Sequence, residues 1–176
     1  MNKLNLISLL FLFGIVCGCS STPTKVVFES PEQIRNVKKV AVFPFACNRS
    51  ETGKIIADAL AANLNDSRFS VIEKGRLQTL LEDQSLTPNS VSEDHRPALG
   101  KLKGVDAIIT GSASVRAFRG YIDYVAETTA RMIDMTTGDV LLEVHFTSED
   151  ISRLSMKGTI PAKQIGKELA KKFSSY

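Results

Sequence analysis

The chain has 176 residues, of which 43% are hydrophobic and 23% charged, with a formal net charge of +3. That balance suits one globular domain with a short appendage and excludes a collagen-like or largely disordered chain. It falls short of the concentrated basic stripe that nucleic-acid binding leaves, and the length argues against a multi-domain enzyme.

Lys3 precedes an apolar run, Leu4 to Cys17, broken only by Asn5 and Ser8. The run is shorter than the roughly 20 residues of a membrane-spanning helix and fits a secretory signal peptide. Val16-Cys17-Gly18-Cys19, followed by Ser20, resembles the bacterial lipobox. That resemblance implies cleavage before Cys19 and acylation, palmitate included, of its thiol and new amino group. Cys17 is a competing position that fits the pattern less well. Several acyl chains exceed the marginal anchoring of a single one. Ser rather than Asp at position 20 implies the outer membrane, by resemblance to sorted lipoproteins of double-membrane bacteria. Loss of residues 1–18 removes Lys3, leaving 21 basic against 19 acidic residues, a charge of +2. Cys47 is then the one unmodified cysteine; it has no partner for an internal disulfide and is either a buried small hydrophobe, the favoured reading, or an unpaired thiol.

Ser20 to about Pro31 is polar and reads as a tether. The expected organisation is a signal peptide over 1–18, a lipidated Cys19 with tether over 19–37, and a domain over 38–176. Lys39 to Phe45 is a compact apolar run that predicts a buried strand with Pro44 near its end. Residues 51–66 have helical spacing, with Ile55 or Ile56, Ala59, Leu60, Asn63 and Leu64 on one face and Ser50 as the expected cap. Phe69–Ile72 predicts a second strand, Leu77, Leu80 and Leu81 a helix to about Gln84, Leu86–Asp94 a loop, and 95–103 a short helix ending near Gly104. Asp106–Gly111 predicts a third strand. The order strand, helix, strand, helices, strand implies two crossover units and parallel pairing.

From 121 to 134 the pattern alternates. Ile122, Tyr124, Ala126, Thr128, Ala130 and Met132 form an apolar parity, and Tyr121, Asp123, Val125, Glu127, Thr129 and Arg131 a wet one. Thr136-Thr137-Gly138-Asp139 predicts a turn. The return strand is expected to bury Val140, Leu142, Val144 and Phe146 and expose Glu143, His145 and Thr147. A last helix begins near Thr159-Ile160-Pro161, with Ile165, Leu169 and Phe173 inside and Lys163, Lys167 and Lys171 outside, near Lys157 and Lys172. The fold class is therefore α/β, a single domain whose mixed sheet joins parallel crossover units to an antiparallel hairpin packed with helices.

No catalytic set assembles from the residue types present. His95 and His145 stand at no metal-ligand spacing from Cys, Asp or Glu, so no metal or cofactor is expected. Gly53-Lys54 lacks the phosphate-loop glycine, which is Asn48, and its hydroxyl residue, which is Ile55. Gly111-Ser112-Ala113-Ser114 lacks the glycine after the serine that a nucleophile elbow needs. Asp123 and Glu127, on one strand side, read as a solvated face. The lysine stripe reads as a solvated face or as a surface for anionic lipid or envelope polymer.

Four segments together resemble the family of the curli-secretion lipoprotein CsgG. They are Val40–Phe45, Phe69–Gln84, Gly104–Ser112 and Met132–Leu141, covering roughly residues 38–147. Lys74 stands where the family usually has Arg after the Glu. Glu73 closes a strand and opens a helix, where a carboxylate meets free N–H groups. The curli channel inserts pore-forming hairpins after the Gly-Ser strand and after the Thr-Gly hairpin. Here those places hold Ala113–Arg119 and Thr147–Asp150, which are short or charged, so a domain without a pore is expected. The resemblance implies a non-catalytic outer-membrane lipoprotein, facing the periplasm, that binds other envelope proteins as a homo-oligomer or an adaptor. Alternatives are a component of a protein-export channel or an activator of a peptidoglycan synthase. No nucleic acid is expected as a partner.

Overall fold

The computed structural model describes residues 24–64, 68–82, 104–118, 122–147 and 162–176. Its elements are β1 Thr24–Glu29, α1 Pro31–Asn36, β2 Lys39–Val42, β3 Ala46–Cys47, α2 Ser50–Leu64, β4 Ser70–Val71, α3 Lys74–Glu82, β5 Ala107–Phe118, β6 Ile122–Asp134, β7 Val140–Thr147 and α4 Ala162–Phe173. The strands form one sheet in the order β1-β7-β6-β5-β2-β4, with β3 pairing β5 off this path. β2 pairs in parallel with β4 and β5, as the crossover order predicts, and β5, β6, β7 and β1 pair antiparallel. The fold is α/β with a mixed sheet. The expected helix over 95–103 and the loop before it lie outside the described residues.

Alternation along the strands sorts side chains onto two faces. On the first, Val40, Ala107, Ile109, Ala130, Met132, Leu142, Val144 and Phe146 meet α2 and α4. Ile56, Leu60 and Leu64 of α2 and Ile165, Leu169 and Phe173 of α4 are fully buried there. The stripe of α4 read from its period of 3.6 is thus the inner one. Helices α2 and α4 cross closely because Gly166 has no side chain: a Cβ would lie 2.6 Å from the Ile56 carbonyl oxygen and 2.8 Å from the Leu60 nitrogen. On the second face, Ala41, Phe43, Ile108, Ile133 and Met135 pack with Leu77 of α3 and Val105.

The tether reading does not hold for Thr24–Asn36. Thr24–Glu29 is the edge strand of the sheet, and Pro31 opens a helix whose Ile34 is fully buried. Proline suits this first turn because its missing N–H has no helical partner. The Arg68 guanidinium closes the other end of α1, donating to the carbonyls of Ile34 at 2.8 Å and Arg35 at 3.3 Å while lying 4.4 Å above the Phe69 ring. Burial and the nearby Arg35 lower its pKa.

Four further expectations are corrected. Helix α2 begins at Ser50 itself, with the Arg49 carbonyl accepting the Thr52 and Gly53 N–H groups, so Ser50 lies inside the first turn. The third strand continues through Ala113 to Phe118, because β6 pairs with it along its whole length. Val125 is buried rather than wet, since a bulge on β6 takes the register from Ser114↔Glu127 to Val115↔Val125 and exchanges the parity. Val140 is half-buried, and Leu141 is fully buried in the same core as Leu142, because the register shifts from Met132↔Leu142 to Ile133↔Val140 and leaves Leu141 as the extra residue of β7. The Thr136–Asp139 turn forms as read: Gly138 has φ +78°, and Asp134 Oδ1 accepts the N–H groups of Thr136 at 2.6 Å and Thr137 at 2.9 Å.

The chain's end closes on its beginning. The Tyr176 hydroxyl donates to Glu29 Oε2 beside α4. Desolvation and that carboxylate push the phenol pKa from 10 up to about 12. Folding therefore favours the protonated phenol. Its contribution is full below pH 10 and fades as the pH climbs towards 12. Denaturant titrations across that window should show a downward slope in stability that is reduced in Tyr176→Phe.

Candidate functional site: the polar half of the sheet

Beyond the α3 contact, the second face turns polar in three cross-strand rows. Thr110, Arg131 and Glu143 form one, Ser112, Thr129, His145 and Lys25 the next, and Ser114, Glu127 and Thr147 the third. Each row is fixed by the ladder, so the functional groups stand at strand spacing on a rigid platform. Ser112, Glu127 and Lys25 are exposed and the others half-buried.

Within it, Arg131 Nε donates to Glu143 Oε2 at 2.6 Å, a directly opposed pair with side chains 31% and 21% exposed. That enclosure makes the pair a positioning contact rather than a screened surface one. Thr129 Oγ1 lies 3.1 Å from His145 Nδ1. Arg116 and Glu127 approach to 4.0 Å with both side chains exposed, which contributes little to stability. Beside this face, Ser30, Gln33, Asp139, Val140 and Glu143 line a shallow depression of about 420 Å³.

The platform offers donors and acceptors in fixed register. Among the described residues no carboxylate orients His145, and no group of three His, Cys, Asp or Glu could hold a metal ion. Glu127, expected beside Asp123, faces Arg116; the Asp123 side chain and His95 lie outside what is described. Gly53 is a packing residue, since a Cβ there would overlap the Phe45 carbonyl oxygen. Gly111 and Ser112 lie inside β5, not on a turn. The Glu73 carbonyl accepts the Leu77 N–H and so starts α3. Lys163, Lys167 and Lys171 are exposed on α4, with Lys171 2.8 Å from Glu168.

Cys47 is half-buried rather than fully buried, because its sulfur turns to accept the Arg49 N–H at 3.4 Å. The neighbouring Asn48, a misfit to the phosphate-loop pattern, serves the sheet instead. Its amide donates to the Val115 carbonyl at 2.8 Å and accepts the Val115 N–H at 2.9 Å, imitating one more residue of β3 next to the β6 bulge. An Asn directly after a short strand is the signal that could have suggested it. Ser114 Oγ and Thr128 Oγ1, in the two ladder pairs just inside that bulge, are buried without a hydrogen-bond partner among the described residues. No described helix is long and apolar enough to cross a membrane.

The family model for the curli production assembly/transport component CsgG matches residues 29–122. No curated protein matches the chain. Among solved structures it is similar to the PelC dodecamer from Paraburkholderia phytofirmans, with 13% identity and a TM-score of 0.47 over 86% of this chain and 97% of that one. It is similar to the lipoprotein GNA1162 from Neisseria meningitidis, with 15% identity and a TM-score of 0.46 over 69% and 99%. The LpoB C-terminal domain from Escherichia coli gives 15% identity and a TM-score of 0.43 over 62% and 80%.

Proposed function

This chain belongs to the CsgG family, and we propose that it is a non-catalytic lipoprotein of the outer membrane, held by Cys19 and facing the periplasm, that binds partner proteins of an envelope or secretion assembly. The observation that carries this reading is the family match across 29–122, the span that runs from α1 through the whole of β5. The three polar rows support it, since they supply recognition groups without a nucleophile, base and orienter in contact. Binding of a second copy or of another envelope protein both suit a surface of this kind.

Cys19→Ser should move the protein from the membrane to the soluble fraction while leaving its circular dichroism and unfolding midpoint unchanged. Intact-mass analysis of the wild-type chain should show acyl groups on Cys19, and an unmodified Cys19 would overturn the anchor. A photoreactive residue at Ser112 should cross-link to envelope proteins more strongly than one at Lys167; equal labelling would reject the polar face as the binding surface.

A channel role has one feature in its favour. At 12 and 13 residues, β5 and β6 exceed the roughly 9–11 of a spanning strand. Their inner halves, however, are committed to the seven-stranded sheet through β2, β3 and β7. Steady ion conductance from the purified protein in planar bilayers would favour the channel over the binding factor.

A further inference from the structure

The charges on the polar half of the sheet cancel in the outer rows and not in the middle one. In the first row Arg131 and Glu143 neutralise each other at 2.6 Å. In the third, Glu127 has Arg116 at 4.0 Å, two positions along β5 from its ladder partner Ser114. The middle row, Ser112, Thr129, His145 and Lys25, holds no carboxylate. Lys25 is exposed and has no ion pair or hydrogen bond among the described residues. Thr129 Oγ1 lies against His145 Nδ1, and with that hydroxyl donating, Nε2 keeps its hydrogen and is left to donate outward. Lys25 and His145 are directly opposed on neighbouring strands about 4.8 Å apart, so one oxyanion group can meet both.

An apolar residue stands beside this pair. Val26 pairs with Val144 and packs on the core face, so Val27 returns to the side of Lys25. Val27 is 62% exposed, the one exposed large hydrophobic among the described residues. It is also the extra residue of the β1 bulge. A bulge and an edge lysine both blunt a sheet edge against a continuous partner strand. Recognition at this edge therefore falls to side chains and not to the open backbone.

We propose that Lys25 and His145 form a binding site for a carboxylate side chain of a partner protein, with Val27 as its apolar neighbour. An ammonium and an imidazole N–H supply charge-assisted and neutral donors to the two carboxylate oxygens, and an apolar contact next to a charged one is the make-up of a protein interface. Asp139 and Glu143 give the depression beyond the first row the opposite sign, so an acidic group is repelled there and favoured at the middle row. The site rests on the binding face proposed above and specifies the chemistry it reads.

Two measurements on the full chain test it. In the first, a fluorescein-labelled Glu-Thr-Glu-Thr-Glu peptide is titrated into the detergent-solubilised protein and followed by anisotropy. Its affinity should fall about threefold in Lys25→Gln and in His145→Phe, which keeps a ring without its nitrogens, and about tenfold in Lys25→Glu. Lys25→Glu should in turn bind a Lys-Thr-Lys-Thr-Lys peptide better than the unsubstituted chain does, a reversal that mere loss of structure would not produce. Lys167→Glu, on the exposed side of α4, should bind the acidic peptide as before. Unchanged affinity for the acidic peptide in Lys25→Glu overturns the site. In the second measurement, a photoreactive residue at Ser112 reports contacts in envelope membranes, and its protein cross-links should drop about tenfold when Lys25→Glu is added. Cross-links that persist undiminished overturn the carboxylate site and leave the binding face standing. Products that carry lipid or glycan in place of protein overturn the protein carboxylate as the occupant. Absence of any protein cross-link from Ser112 in the chain with Lys25 intact overturns the face and the site together.

Discussion

Gly111→Ala should destabilise the domain by about 3 kcal/mol or more, at the upper end of what overpacking one methyl group costs. The added Cβ would overlap the Thr129 carbonyl oxygen on β6 and lie 2.7 Å from Cε2 of the buried Phe45 ring. Neither neighbour can retreat easily. The carbonyl belongs to the backbone of an adjacent strand, and the ring is held where the chain passes from β2 to β3, with the Phe45 N–H directed at the Gly53 carbonyl at 3.5 Å. A domain of this size has a total stability of roughly 5–15 kcal/mol, so the loss would be a large share of it. Urea unfolding of the protein lacking residues 1–18 and carrying Cys19→Ser measures the effect directly. A change under about 1 kcal/mol would mean that the strand pair yields far more than its ladder implies.

Gly166→Leu should cost as much again and act differently. The substituted side chain would enter the crossing of α2 and α4, where even a Cβ would lie 2.7 Å from that of Ala59. Relief requires the helices to part, which exposes apolar surface on Ile165, Leu169 and Phe173, all fully buried. We expect about 3–5 kcal/mol, comparable to removing a large core side chain, and with it dye binding to newly exposed apolar surface. Retention of the wild-type unfolding midpoint would show that α4 is not bound to the core in the way described.

Elements whose pattern is local were readable from the residues alone. The α4 stripe repeats every three to four positions, and the Thr-Thr-Gly-Asp turn names its own geometry through a glycine at positive φ. The parallel core followed from the order of strands and helices. What escaped was set by partners distant in sequence. Thr24–Glu29 lies between two prolines and looks like a spacer; it becomes a strand because β7 offers it an open edge. Ala113–Phe118 holds small and charged residues without a clean alternation, and its extension comes from the length of β6. Val125 changed faces through a bulge that no alternation rule anticipates. In the candidate site, the Arg131–Glu143 pair was out of reach, since the turn register of Ile133 with Val140 would set Arg131 opposite Leu142, and the register shift at Leu141 is what brings Glu143 there. Asn48 was out of reach too, because the strand it serves lies 67 residues away.

The placement of β1 has a mechanical consequence. With Cys19 held in a bilayer, any tug between membrane and partner enters the domain at Thr24 and runs along the strand axis. The bonds to β7 would then share the load in shear instead of opening one after another, and the contact of Tyr176 with Glu29 secures the far end of the same strand. A domain loaded this way resists extraction best along the direction in which its tether pulls.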